Sequence, residues 1–334
     1  MKIFLTGAFG NIGRYTLEEL LRRNHYVICF DIKNKKNEKI FSEIKHRFKN
    51  NLEVFWGDLR KIDDLEKAIP NDIDAVVHLA FIIPKLSSTG IESEKAPELS
   101  RKINVGGTEN LVNVLKKKNR NVKIIFTSSL HIYGRTQDKE PPRKVWEIPE
   151  PIEHYSFHKI ECENIIKNSG LSFCIFRLSA VLPINIRLDK GMFDVPLENR
   201  FEFVHVKDVA TAIANALENN EVWGKVLHIG GGKRCQLYYK DIVEKVLKTI
   251  GIGMLPEDAF TNIPFPIDWL DTEESQKLLS YQKRTFEDYL MDMKKALGLK
   301  TYIIKAFKHI IRMWLLSHSP YYKERKFIKR LRIN

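Results

Sequence analysis

Residues 1–21 read MKIFLTGAFGNIGRYTLEELL, with Gly7, Gly10 and Gly13 spaced three apart directly behind an apolar run. Ile3 to Thr6 is short, apolar and β-compatible. Ile12, Tyr15, Thr16 and Leu20 then recur at helical spacing. The glycines fall where the strand hands over to the helix. Glycine there opens backbone angles closed to other residues and lets a ligand approach the main chain. A helix N-terminus adds unpaired N–H groups and partial positive charge, which suits a phosphate. The stretch therefore predicts a strand–turn–helix unit built to hold a pyrophosphate, against the plainer alternative of a glycine-rich turn with no ligand.

The next apolar run, HYVICFDI, ends at Asp31, 18 residues beyond Gly13. A dinucleotide fold places an acid at about that distance on the adenosine ribose hydroxyls. An Asp repels a 2′-phosphate, so NAD is the expected cofactor. Lys33, Lys35 and Lys36 follow closely and keep NADP open, since one of them could pair with that phosphate.

Strand and helix patterns alternate from there. NLEVFWGD ends a strand at Gly57-Asp58, and DAVVHLA ends one at His78-Leu79-Ala80. A long helix is expected from about Glu98 to Lys118, a buried strand at VKIIFTSS, a helix from about His154 to Asn168 and a strand at LSFCIFRLS. Such alternation implies an α/β fold: a doubly wound parallel sheet with right-handed crossovers and helices on both faces. After Pro183 the alternation loosens, leaving FVHVKDVATAIANALEN and GKVLHIGGG. The organisation expected is a dinucleotide-binding region over residues 1–180, a smaller C-terminal substrate lobe over 181–300 interleaved with that core, and a basic amphipathic tail over 301–334.

In HYSFHKIECENII, Tyr155 and Lys159 are four apart and share one helix face. A free tyrosine titrates near pH 10. A nearby ammonium favours the phenolate, which would make the pair an acid/base unit. Ser129, just past the strand end in FTSSLHIYG, stands where a hydroxyl could bind a carbonyl or alcohol oxygen beside that tyrosine. Taken singly, the pair is common as a solvated helix face, and the serine could serve its own turn.

Together these segments resemble the extended short-chain dehydrogenase/reductases, the NAD-dependent epimerase/dehydratase group. The resemblance rests on TGAFGNIG, Asp31, GDL at Gly57 to Leu59, VVHLA, NVGGTENLV, TSSLHIYG, YSFHK, FRLS and FVHVKDVA, in family order across about residues 1–230. It implies a Rossmann fold with Gly7, Gly10, Asn11, Ile12 and Gly13 at the pyrophosphate, Asp31 on the ribose, and Asp58 and Leu59 at the adenine. It places Leu79 and Ala80 beside the cofactor and Asn104 in support of the active-site network. Ser129, Tyr155 and Lys159 become the catalytic triad, with Tyr155 exchanging the proton and Lys159 binding the nicotinamide ribose. The function implied is hydride transfer between nicotinamide and a carbonyl or alcohol carbon of a sugar-like or small substrate. A nucleotide-sugar epimerase is the alternative within the class, and a non-catalytic dinucleotide-binding sensor or scaffold the alternative outside it.

Departures from the family pattern narrow the chemistry. Dehydratases carry an Asp-Glu pair after the serine or threonine; Leu130 and His131 stand there. An Asn that touches substrate in hexose epimerases is matched by Ala180, and the nucleotide-clamping arginine by Phe201, with Arg200 adjacent as a possible substitute. The short stretch from Pro183 to Asn199 favours a smaller or differently held substrate. His78 and His205 read as structural, and His131 as a residue able to face the substrate.

The net charge of +13 is uneven. Residues 301–334 carry nine Lys/Arg and one acid, Glu324, giving +8, so the rest carries 13 − 8 = +5. In TYIIKAFKHIIRMWLLSH, Ile303, Ile304, Phe307, Ile310, Ile311, Trp314 and Leu315 form one helical stripe, with Lys305, Lys308, His309 and Arg312 opposite. Such a helix either docks on its own fold or attaches weakly to an anionic membrane surface. No nucleic-acid partner is expected, because the cations surround an apolar stripe. Cys29, Cys162, Cys174 and Cys235 show no metal-ligand or redox spacing, so buried free thiols, no metal site and a cytoplasmic location are expected. No apolar run reaches a membrane span, and because the first residues already read as a strand no signal peptide is expected. The two helices from Glu98 and His154 resemble the pair through which family members dimerise, so a homodimer is expected.

Overall fold

The computed structural model describes residues 1–85, 89–185 and 190–323. Strands β1 (Lys2–Thr6), β2 (Tyr26–Asp31), β3 (Leu52–Trp56), β4 (Ala75–His78), β5 (Lys123–Ser129) and β6 (Ser172–Leu178) alternate with helices. These helices are α1 (Asn11–Arg22), α2 (Lys35–Arg47), α3 (Ile62–Ala68), α4 (Pro97–Arg101), α5 (Gly107–Lys118) and α6 (His154–Lys167). The chain continues through β7 (Arg200–Glu202), α7 (Val206–Glu218), β8 (Lys225–Ile229), β9 (Gln236–Tyr238), α8 (Tyr239–Ile250), α9 (Glu273–Leu279), α10 (Phe286–Leu297), α11 (Lys300–Ala306) and α12 (Lys308–His318).

Seven parallel strands lie in the order β3-β2-β1-β4-β5-β6-β8. The doubly wound parallel sheet read from the sequence is thus present, with the seventh strand drawn from beyond residue 181. Alternate side chains of β1 explain the two helical layers. Ile3 and Leu5 enter one apolar cluster with α1 and α7, and Phe4 enters another with α3, α5 and α6. Both sheet faces are covered, which is why these strands read as unbroken apolar runs. A third cluster lies in the C-terminal lobe, where α8, α10 and α12 pack beside the small antiparallel sheet of β7 and β9. All four cysteines are buried and free.

Strand order reverses between β1 and β4. Open α/β sheets bind ligands outside the carboxyl ends of their strands at such a point. Gly7, Asp31, Leu79 and Ser129 all sit at those ends.

Two local features differ from the sequence expectation. The helix expected from Glu98 is interrupted by a π-helical turn over Lys102–Gly106. The tail stripe is split between two faces. Ile304, Ile311 and Leu315 pack onto the lobe, while Ile303, Phe307 and Ile310 are more than half exposed and Trp314 is 43% exposed. Arg312, assigned to the polar side, anchors the docked face by donating to the carbonyls of Ile252, Gly253 and Met254 at 3.1, 2.9 and 2.7 Å. A buried carbonyl needs a donor, and a guanidinium carries five N–H groups. The cations from Arg325 onward lie outside the described residues. No described helix is long and apolar enough to cross a membrane.

Candidate active site

The glycine turn closes against β4. Gly7 has φ +65, and a Cβ on it would stand 2.7 Å from the Ala80 nitrogen. A Cβ on Gly13 would stand 2.0 Å from the Gly7 oxygen, a distance no side chain tolerates. Gly10 caps α1 without a side-chain oxygen, and the first turn of α1 contains no acid. That helix end therefore meets the crevice with its N–H groups and dipole uncompensated by protein side chains, the arrangement a pyrophosphate fits. Asn11 and Ile12 follow in the same turn, with Asn11 exposed and its amide 3.4 Å from the Val181 oxygen.

Asp31 closes β2 beside this turn. Its carboxylate accepts from the Phe9 N–H at 2.9 Å, the Ile32 N–H at 2.8 Å and the Asn37 amide at 3.2 Å. One acid thus ties the glycine turn to the end of β2. Burial raises it to about 6, against the pull of those backbone donors. Lys33 pairs with Glu38 at 3.6 Å. Asp58 is held by Arg60 at 2.5 Å, and Leu59 packs under Gly107 while its carbonyl accepts from Asn110 at 3.0 Å. Leu79 and Ala80 each donate a backbone N–H to the Thr6 hydroxyl at 3.2 Å. His78 links that hydroxyl at 2.7 Å to Thr108 at 3.0 Å; burial lowers it to about 3, so it is a neutral tie between layers.

The sequence reading brings Ser129, Tyr155 and Lys159 to one place, and so does the fold. Tyr155 is hydrogen-bonded to Ser129, yet burial still raises it to about 12. Lys159 is buried, donates to the Thr127 carbonyl at 2.6 Å and stands 3.5 Å from the Phe81 ring centre, 4.7 Å from that of Phe126 and 5.7 Å from that of Tyr155. Burial lowers it to about 7. The Lys159 amine is therefore held by a carbonyl and ring faces. The two residues share the helix face as expected, and in the protein alone burial outweighs the Ser129 hydrogen bond at Tyr155. Tyr155 is a protonated phenol here, ready to donate, and an added positive charge beside it would pull it down.

The spacing of residues left several supports unseen. Glu94 accepts from the N–H groups of His154 and Tyr155 at 3.1 and 2.9 Å, fixing the first turn of α6. Glu153 caps the same helix and holds His131 Nδ1 at 2.9 Å, with the His131 ring edge-on to Tyr155 at 5.8 Å. Asn104 sits in the π-helical turn. Its amide bonds both the N–H and the carbonyl of Ile82, at 2.7 and 3.0 Å, and reaches His158 at 3.4 Å. A long acidic side chain near a helix start is the only sequence signal that marks Glu94 or Glu153.

Arg200 does not replace the missing clamp. Its guanidinium donates to Asp268 at 2.7 and 2.9 Å and to the carbonyls of Thr136, Gln137 and Lys139. Beside the tyrosine opens a cleft of about 630 Å³, bordered by His131, Glu153, Ala180 and Phe201.

A dinucleotide-binding α/β sheet with a serine–tyrosine–lysine site defines the class. A model described as the NAD dependent epimerase/dehydratase family matches residues 3–230, and the chain belongs to that family. It is 36% identical to a UDP-glucose 4-epimerase of Pisum sativum over 143 residues, 41% of this chain and 39% of that protein. It is 28% identical to a D-erythronate dehydrogenase of Haemophilus influenzae over 173 residues, half of each. The matched stretch thus spans half or less of these curated relatives. In fold, it is similar to a UDP-glucose-4-epimerase from Stenotrophomonas maltophila, with TM-score 0.75, 18% identity, and coverage of 91% of this chain and 99% of that one. A UDP-glucuronic acid 4-epimerase from Bacillus cereus gives TM-score 0.72 at 22% identity, covering 89% and 99%.

Proposed function

We infer that this chain binds NAD and catalyses hydride transfer at a carbonyl or secondary alcohol carbon. The observation that carries the reading is the convergence of Ser129, Tyr155 and Lys159 at the strand ends that also bear a glycine turn closed to a Cβ at Gly7 and Gly13. Gly7, Gly10, Asn11, Ile12 and Gly13 would hold the pyrophosphate, Asp31 the adenosine ribose, and Asp58 and Leu59 the adenine. Leu79 and Ala80 would flank the cofactor. The bound nicotinamide supplies the hydride acceptor, and its positive charge when oxidised. The solved structure from Stenotrophomonas maltophila carries NAD, and Asp31 disfavours a 2′-phosphate.

The chain's own residues manage the proton. Ser129 orients the substrate oxygen. Tyr155 passes a proton to or from that oxygen, aided in the oxidising direction by the cation beside it. Lys159 holds the nicotinamide ribose from its place among Phe81, Phe126 and Tyr155. Asn104 and Glu94 position α6.

Net accumulation of reduced nicotinamide, in step with product, supports oxidation or reduction. Product without net absorbance change at 340 nm supports epimerisation, the reading favoured by the named epimerase relatives. No turnover with a broad panel, together with undiminished NAD binding, would favour the sensor alternative.

Residues 181–300 act as the substrate lobe. The chain also forms a twofold dimer through the helical stretch of α4 and α5 together with α6, on which Leu99 and Phe157 are exposed. The exposed face of α11 and α12 makes weak contact with anionic membrane, since Ile303, Phe307 and Ile310 stand in solvent beside Lys305 and Lys308. Buried free thiols support a reducing, cytoplasmic location.

A further inference from the structure

The cleft beside Tyr155 has walls unlike those a sugar diphosphate needs. Val195, Phe201, Val243, Leu247 and Met293 are among its apolar lining, which also carries the carboxylates of Glu92, Glu94, Glu153 and Asp194. The wall tyrosines are engaged with the main chain: Tyr239 donates to the Met192 carbonyl at 3.0 Å and Tyr289 to the Pro183 carbonyl at 3.2 Å. The described cations on the lining are Lys85 and Lys95. Lys85 pairs with Asp194 at 2.7 Å and Lys95 with Glu92 at 2.6 Å. Phe201 on the lining is buried and apolar, and the guanidinium of the adjacent Arg200 is fixed to Asp268.

A diphosphate entering these walls would lose hydration and meet, on the described lining of the cleft, lysines already paired with acids, an unfavourable exchange. A hydrocarbon gains from the same walls, at about fourfold in affinity per buried methylene. The volume of about 630 Å³ lies within the range for whole small ligands, roughly 300–1,000 Å³. The tail reaches the same rim. Tyr321 donates to Asp194 at 3.2 Å, and Lys190 stands 5.8 Å from the Trp314 ring centre. The segment after α12 thus meets the rim of the cleft at Asp194.

We propose that the cleft binds the hydrocarbon part of a secondary alcohol or ketone, with its oxygen at Ser129 and Tyr155. This rests on the hydride-transfer reading for the position of the oxygen, while the hydrocarbon assignment rests on the walls. The substrate class is therefore an aliphatic or alicyclic alcohol or ketone, with no nucleoside diphosphate.

Calorimetric titration of the full chain with NAD present tests it, using butan-2-ol, hexan-2-ol, octan-2-ol, decan-2-ol and UDP-glucose as probes. Affinity should rise about fourfold per methylene until the cleft is filled. Val246→Asp, a half-buried wall position, should flatten that rise, and UDP-glucose should not compete. A flat series in the wild type, or UDP-glucose displacing decan-2-ol, overturns the proposal. The wild-type series keeps the test decisive even if the variant misfolds. Tyr155→Phe should retain the chain-length dependence. A steep series without Tyr155-dependent turnover would sink only the hydride-transfer reading, whereas a flat series with such turnover would sink only the cleft assignment. Offering decan-2-ol in anionic vesicles or in water distinguishes a membrane-held from a free source. Faster binding from vesicles by wild type than by Ile310→Asp indicates the membrane, and equal rates indicate water; the hydrocarbon assignment stands under both.

Discussion

Asp31 carries two duties at the residue scale. It fixes the glycine turn through Phe9, and it is the residue proposed to accept from the adenosine ribose hydroxyls. Its folded pKa is raised to about 6. Ribose hydroxyls favour the carboxylate as acceptor, so NAD affinity should increase as pH rises through about 6 and weaken below it. The same burial makes the ionised form costly to folding: its stabilising protonated state is lost as pH rises from about 4 to about 6. Calorimetry with NAD from pH 5 to about 8 should show a several-fold rise that Asp31→Asn abolishes, with NADP(H) discrimination lost as well. A flat wild-type profile would remove Asp31 from the ribose. Glycine spacing made the turn legible because a missing Cβ is a local steric demand, visible at Gly7 and Gly13. The fate of Arg200 was not legible, because its partner Asp268 lies 68 residues away. Lys159 was half legible. Helical spacing puts it near Tyr155, but a buried ammonium must also find an acceptor, and here that is the Thr127 carbonyl.

Periodicity at the element scale tells which residues share a helix face, not which face docks. That is why the tail read as one stripe while the structure divides it between Ile304, Ile311 and Leu315 inside and Ile303, Phe307 and Ile310 outside. The π-helical turn holding Asn104 was hidden for a related reason, since one extra residue per turn leaves no mark in an apolar pattern. The exposed face makes a measurable difference. Phe307→Asp with Ile310→Asp should leave the melting temperature within about 2 °C, since surface changes are usually worth under ~0.5 kcal/mol. Co-sedimentation with anionic vesicles at low salt should fall several-fold. Equal sedimentation of both proteins would assign the outer face to solvent.

Assembly and chemistry meet at the scale of the whole molecule. The α4–α6 face carries Leu99 and Phe157 with the Arg101–Glu161 pair at 2.5 Å. A twofold contact there would buttress α6, which bears Tyr155 and Lys159. Sedimentation velocity at micromolar concentration should give a dimer, and Phe157→Glu a monomer. A wild-type monomer would refute the interface. The parallel sheet and its ligand edge were readable because strand and helix periods alternate without interruption up to residue 180. The lobe was less so, because its cleft is assembled from residues as distant as Ala180 and Met293. The account's central claim is that Tyr155 moves the proton while the glycine turn independently holds the cofactor. It is tested most directly by comparing wild type with Tyr155→Phe, following nicotinamide absorbance at 340 nm on mixing with substrate and measuring NAD affinity by calorimetry. The variant should lose at least about a hundredfold in rate with NAD affinity unchanged within about threefold. Turnover above about a hundredth of wild type, with NAD still bound, would contradict the claim.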